Sequence, residues 1–182
     1  MRPRSRQALI ALLIAGLAST ACLVLVIILA ARDKGEVAAP SGPGELQPDR
    51  GARHLPAGRS APAGTPDSPP TSGPHRTERV RADGRELSPD AALEALELGD
   101  VVIYYGGSEP PAALRRLQAD VAGPFSPELA AAGQAIVLAR RPGARGVIAT
   151  AWRRLLRVTD PADPRLRAFC EAWLGRGLPD SG

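Results

Sequence analysis

The chain has 182 residues, of which 44% are hydrophobic and only 3% aromatic. Its formal net charge is +4, but three of the basic residues are arginines that precede an apolar N-terminal segment. After this segment the chain has 20 basic and 19 acidic side chains. A nearly neutral region with so few aromatic residues excludes an extended nucleic-acid-binding surface. The two cysteines, 22 and 170, are too far apart to predict a disulfide framework, and no Cys-x-x-C redox motif is present.

The first element in chain order is an apolar segment at residues 8–31. Its 24 residues carry no charge, and an apolar helix needs about 20 residues to cross a bilayer. A cleaved signal peptide has a shorter apolar core, and the stretch ending at Cys22 is only weakly similar to a lipoprotein box because the apolar run continues beyond it. The segment therefore predicts a transmembrane helix whose partner is the lipid bilayer.

The basic residues beside this segment predict its orientation. Three arginines and the amino terminus precede it, whereas one arginine and one lysine follow it. Because positive flanks stay inside, residues 1–7 are predicted to be a cytoplasmic tail and the C-terminal domain to be extracytoplasmic. The expected localisation is the cell membrane, as a single-pass protein.

Residues 32–68 are rich in proline, glycine and alanine, and they lack a periodic apolar pattern. Such a segment is typical of a disordered linker, because it buries too little apolar surface to offset the entropy of ordering. Its one unusual fragment is His54-Leu55-Pro56-Ala57-Gly58.

Residues 69–179 predict one small α/β domain with the element order αβαββα. Ser88-Pro89 begins the first helix and Gly99 ends it; Asp163-Pro164 begins the last helix and Gly175 ends it. The predicted strands are 101–105, 135–139 and 147–152, and the second helix passes through Pro111. Since a helix connects the first two strands, these should be parallel, and the third should add antiparallel to give a three-stranded mixed sheet.

The segments His54–Gly58, Pro69–His75 and Glu94–Gly99 resemble the motifs of a bacterial family known as a domain of unknown function. Members have one N-terminal membrane helix, a His-x-Pro-x-Gly element, a Pro-Pro-Thr-Ser-Gly-Pro-His motif and a His-x-Leu-Glu-His-Gly motif. Here His54–Gly58 is similar to the first motif, Pro69–His75 to the second and Glu94–Gly99 to a degenerate third. The similarity covers about residues 54–177.

The resemblance implies a clustered histidine site, of a type that suits copper or zinc. In this chain Glu94 and Leu98 occupy the positions of the two histidines of the third motif, so a ligand set could come only from His54, His75, Glu94 and Glu97. Glu94 and Glu97 are three residues apart and can share a helix face. No cofactor other than such a metal ion is expected.

Other candidate sites have simpler explanations. Ser72 and His75 lie in a proline-rich turn with no identifiable acid to orient the base, so no catalytic residue is predicted and the protein is not expected to be an enzyme. Gly106-Gly107-Ser108 lacks the spacing of a phosphate-binding loop. The arginines of residues 140–157 are interpreted as a solvated face, with contact to anionic lipid or cell-wall polymer as the alternative.

Two functions follow as expectations. The first is a membrane-tethered, non-catalytic domain that binds an unknown protein or envelope partner. The second is an envelope protein that binds copper or zinc through His54, His75 and the nearby carboxylates.

Overall fold

The computed structural model of the protein describes residues 41–178, which form five strands and four helices. In chain order these are β1 (Glu45–Leu46), α1 (Pro89–Leu98), β2 (Val101–Tyr105), α2 (Ala112–Val121), α3 (Pro127–Ala131), β3 (Ile136–Arg140), β4 (Val147–Ala151), β5 (Arg154–Val158) and α4 (Pro164–Trp173). None of these helices is long and apolar enough to cross a membrane. The tail at 1–7 and the transmembrane segment at 8–31 were predicted for residues outside the described range.

The sheet has five strands in the order β1-β5-β4-β2-β3. The α/β class and the parallel pairing of β2 with β3 are confirmed, and the other neighbours are antiparallel. The prediction of three strands is corrected, because strands β1 and β5 were not predicted. The third predicted strand, β4, is antiparallel as expected, and it lies between β2 and β5.

Strand β5 escaped prediction because of its turn. The β4–β5 hairpin pairs Ala151 with Arg154, so its connection is Trp152-Arg153. Short hairpin turns usually carry glycine or asparagine where the backbone must adopt a positive φ. Here Arg153 takes that conformation at φ 57°, and the sequence gives no turn signal.

The sheet separates two apolar clusters. Val102 and Tyr104 contribute to one cluster and Ile103 and Tyr105 to the other, as the alternation of side chains along β2 requires. Residues of α1 and α3 belong to the first cluster, while α2 and α4 complete the second. The domain therefore has three layers, with α1 and its carboxylates on the first face.

Residues 41–68 pack against this domain, which corrects the prediction of a disordered linker for that range. Beyond strand β1, three arginines of the hairpin region hold the segment, and we call them the arginine clamp: Arg141, Arg145 and Arg157. Arg141 donates to the carbonyl oxygens of residues 63, 65 and 66, and Arg145 binds the carboxylate of Asp67. Arg157 donates to the Asp67 carbonyl and pairs with Glu45.

The clamp adds to the interpretation of the basic hairpin. The arginines there were expected to form a solvated face or to contact anionic polymers, and the side chains of Arg140, Arg145 and Arg157 are indeed exposed. Within residues 41–178, all six also have partners inside the molecule; besides the clamp, these are Arg140 with Glu86, Arg153 with Asp49 and Arg154 over the Trp173 ring. The three arginines of the clamp and Arg153 bind residues of the segment 41–68.

A buried carboxylate at the start of α1 fastens two loops. Asp90 is 1% exposed and accepts from the backbone N–H groups of Ala61 and Arg76, at 3.0 and 2.8 Å. The Arg76 guanidinium donates to its second oxygen. Burial raises the pKa of Asp90, but the N–H groups of Arg76 and Ala61 outweigh this effect, so the pKa lies below its ordinary value.

Asp90→Asn is expected to lower the free energy of unfolding by about 2–3 kcal/mol, because it removes a charged acceptor from several buried donors. Because the pKa of Asp90 is lower in the folded state than its ordinary value of 3.8, ionised Asp90 stabilises the fold at pH values above 3.8. This contribution is lost as the pH falls through the lowered pKa of the folded state. Chemical denaturation at pH 7 measures the effect. The exposed Asp120→Asn is the control, and an equal loss in both variants would contradict the assignment.

Candidate metal centre

The four residues predicted as possible ligands come together in one place. We call them the His–Glu cluster: His54, His75, Glu94 and Glu97. One ligand atom from each residue lies within 4.8 Å of the corresponding atoms of the others. Two loops and helix α1 supply these side chains, so the cluster exists only in the folded domain.

Helix α1 presents the two carboxylates. Ser88 caps its start by accepting from the Ala91 N–H, and Gly99 ends it at φ 117°. Residues three apart lie on one face of a helix, and Glu94 and Glu97 both point toward the histidines. Glu94 thus brings a carboxylate to the position at which the family motif described above has a histidine.

His75 is the most deeply placed member of the cluster. Its side chain is 0% exposed, and its ring centre lies 6.4 Å from that of Trp152. Nδ1 lies 2.9 Å from the Gly73 carbonyl oxygen. Since a carbonyl oxygen only accepts, Nδ1 carries the hydrogen, and in the neutral ring Nε2 is left with its lone pair. Metal-binding histidines are commonly fixed in this way.

The lone pair of His75 faces the two carboxylates. Nε2 lies 3.0 Å from Oε2 of Glu97 and 3.5 Å from Oε2 of Glu94. All three atoms are buried and none has a hydrogen-bond partner within the described chain. The short distance without hydrogen-bond geometry means that the oxygens lie beside the axis of the Nε2 lone pair rather than on it. Ligands of a shared ion have this relation to one another.

His54 closes the cluster from the outside. Its Nε2 lies 3.8 Å from Oε2 of Glu94 and 3.6 Å from Oε2 of Glu97, while 54% of its side chain is exposed. A short parallel bridge joins it to His75: Leu55 N–H donates to the His75 carbonyl, and His75 N–H donates to the Arg53 carbonyl. The bridge places the two rings edge to face, 5.3 Å apart.

Charge and spacing both fit a metal ion. Within residues 41–178 the ion pairs of Glu94 and Glu97 join them only to the two histidines, so no arginine or lysine neutralises them. Zinc bonds of about 2.0–2.1 Å at a tetrahedral centre put neighbouring ligand atoms about 3.4 Å apart. The four distances between an imidazole nitrogen and a carboxylate oxygen, 3.0 to 3.8 Å, bracket that value.

Other residues of the motif support the loops. The Ser72 hydroxyl accepts from the Arg50 N–H and donates to the Pro48 carbonyl, so it ties two backbone segments together. Trp152 beside His75 and Asp90 below the adjacent loop were not predicted as parts of the site. Their contacts join residues far apart in sequence, for which the local pattern holds no signal.

Comparison with known proteins gives one match. Residues 62–181 match the model of a family described as "Protein of unknown function (DUF3105)". Neither the curated proteins nor the solved structures contain a match to the chain. The match covers more than half of the chain and is consistent with the expected family of unknown function; the protein belongs to the DUF3105 family.

Proposed function

We propose that this domain binds a divalent transition-metal ion through the His–Glu cluster. The observation that carries the proposal is the convergence of three buried atoms without a hydrogen-bond partner in residues 41–178: His75 Nε2 and one oxygen of each glutamate. Burying such atoms without partners is costly, and a cation among them would satisfy all three. When bound, the ion would either supply Lewis acidity or be a cargo carried by the domain. In both cases the four side chains would hold it in place.

The donor set favours a dication over monovalent copper. Two carboxylates and two neutral imidazoles carry two negative charges, which a dication neutralises and a monovalent ion does not. Monovalent copper prefers thiolate and thioether ligands, whereas imidazole and carboxylate suit zinc or divalent copper. Cys170 belongs to the apolar cluster on the opposite side of the sheet and contributes no sulfur here.

The membrane location is a separate part of the proposal. It is supported by the uncharged sequence of residues 8–31 and the basic residues before it. A domain held outside the membrane by this helix would meet metal ions of the envelope. The alternative, an interaction domain with a protein or envelope partner, stays a prediction, because no surface within residues 41–178 identifies that partner.

Zinc titration of the purified full chain tests the proposal. We expect one zinc ion per chain in the wild type and loss of stoichiometric binding in His75→Ala, since this removes the buried ligand that faces both carboxylates. The control is Glu171→Gln, an exposed glutamate of α4, which should bind as the wild type does. A wild type that binds no zinc and no divalent copper would refute the proposal.

A further inference from the structure

The four members of the His–Glu cluster differ in how they are held. The side chains of His75, Glu94 and Glu97 are 0%, 7% and 23% exposed, whereas that of His54 is 54% exposed. Three ligands therefore lie on the packed domain, and the fourth covers them from the solvent side.

The loop that carries His54 is fastened at its ends. The Arg50 N–H donates to Ser72 Oγ before it, and the Ala61 N–H donates to Asp90 after it. None of residues 51–60 is buried, although Ala52 packs partly against the first apolar cluster. Space surrounds Gly51 and Gly58, where an added Cβ would meet no atom within 4 Å.

Between these ends, two backbone hydrogen bonds hold the loop to the rest of the domain. They are the bonds of Leu55 and Arg53 with His75, at 2.7 and 3.2 Å. An exposed loop segment with few buried contacts opens at a low free-energy cost compared with the core. His54 can therefore leave the cluster at a lower free-energy cost than His75 and the two glutamates, whose side chains are more deeply buried.

Resting on the proposed function, we infer that His54 is the exchange ligand through which a divalent cation enters and leaves. The ion is then a cargo that the domain takes up and releases on the His54 side, rather than a permanent structural ion. Structural zinc sites are closed by four protein ligands. In this cluster three of the four side chains are largely buried, and the fourth, His54, is exposed to solvent. The domain would exchange the ion with any molecule that delivers or accepts a divalent metal and can reach the exposed imidazole of His54.

Release of zinc from the loaded full chain into an excess of chelator tests the inference, after equilibrium titration of the same samples. The wild type should release zinc to the chelator within minutes. His54→Ala should still bind one ion, about 10- to 100-fold more weakly, with most of the change in the dissociation rate. Arg59→Ala, an exposed position of the same loop without a backbone bond to His75, is the matched control and should leave both values unchanged.

Acylation of the imidazoles by diethyl pyrocarbonate gives an independent readout. In the metal-free chain, His54 should react and the buried His75 should not, and zinc should protect His54. A wild type that binds zinc but holds it against chelator for days overturns the inference, as does His54→Ala behaving like the wild type or losing binding as completely as His75→Ala. A wild type that binds no metal refutes the proposed function itself, which distinguishes the two failures.

Discussion

Glu94→Gln is expected to make the metal-free protein more stable and to weaken zinc binding at the same time. The carboxylates of Glu94 and Glu97 lie in one cluster without an arginine or lysine, so they repel each other when no cation is present. Removing one charge should raise the free energy of unfolding by about 1–2 kcal/mol. Loss of an anionic ligand should weaken zinc binding by at least about 100-fold, or about 3 kcal/mol.

Thermal unfolding with and without zinc measures both effects together. At 100 times its dissociation constant, zinc should stabilise the wild type by about 2.7 kcal/mol, which corresponds to a rise in Tm on the order of 10 °C. The variant should begin at a higher Tm and gain little from the same zinc concentration. Glu171→Gln provides the control for loss of an exposed charge. A variant that is less stable without metal and equally stabilised by zinc would contradict the assignment of Glu94.

The second large effect is expected at Asp100, between α1 and β2. Asp100 is 1% exposed; one carboxylate oxygen accepts from the Ala135 N–H, and the other has no partner within the described residues. Burial raises the pKa of Asp100 to about 7, although the Ala135 N–H opposes the shift. The folded state therefore prefers the protonated carboxyl.

The pH dependence follows from this preference. Because the folded pKa lies above the ordinary value of 3.8, the carboxyl favours folding most at low pH, and this contribution is lost as the pH rises through about 7. The loss can reach on the order of 4 kcal/mol. Asp100→Asn keeps an oxygen that accepts from the Ala135 N–H, and it cannot ionise. At pH 8 its free energy of unfolding should therefore be higher than that of the wild type.

Urea denaturation of both proteins at several pH values between 4 and 8 provides the comparison. The difference between variant and wild type isolates Asp100 from the other titrating groups. Asp120→Asn, which changes an exposed carboxylate of α2, should follow the wild type throughout. A difference between Asp100→Asn and the wild type that does not depend on pH would contradict the raised pKa.

Local signals in the sequence predicted the helices well. Ser88-Pro89 and Gly99 delimit α1 as expected, and Asp163-Pro164 begins α4, with side-chain caps from Ser88 and Asp163. These features depend on hydrogen bonds between residues two or three apart, which a single stretch of sequence contains.

The missed features depend on distant residues. Strand β1 is two residues long and forms only through its pairing with β5. The contacts of Arg141 and Arg145 with residues 63–67 span 75 to 78 positions of the chain. In the same way, the spacing of Glu94 and Glu97 indicated a shared face, but only the fold brings His54 beside His75.

The position of His54 bears on how the domain should be delimited for expression. The matched region begins at residue 62, after both strand β1 and the loop that carries His54. A fragment cut at that boundary would expose the edge of β5, leave Arg157 without Glu45 and lack one of the four members of the His–Glu cluster. Such a fragment would be expected to aggregate at the uncovered strand edge and, on the proposed function, to bind zinc more weakly than the full chain.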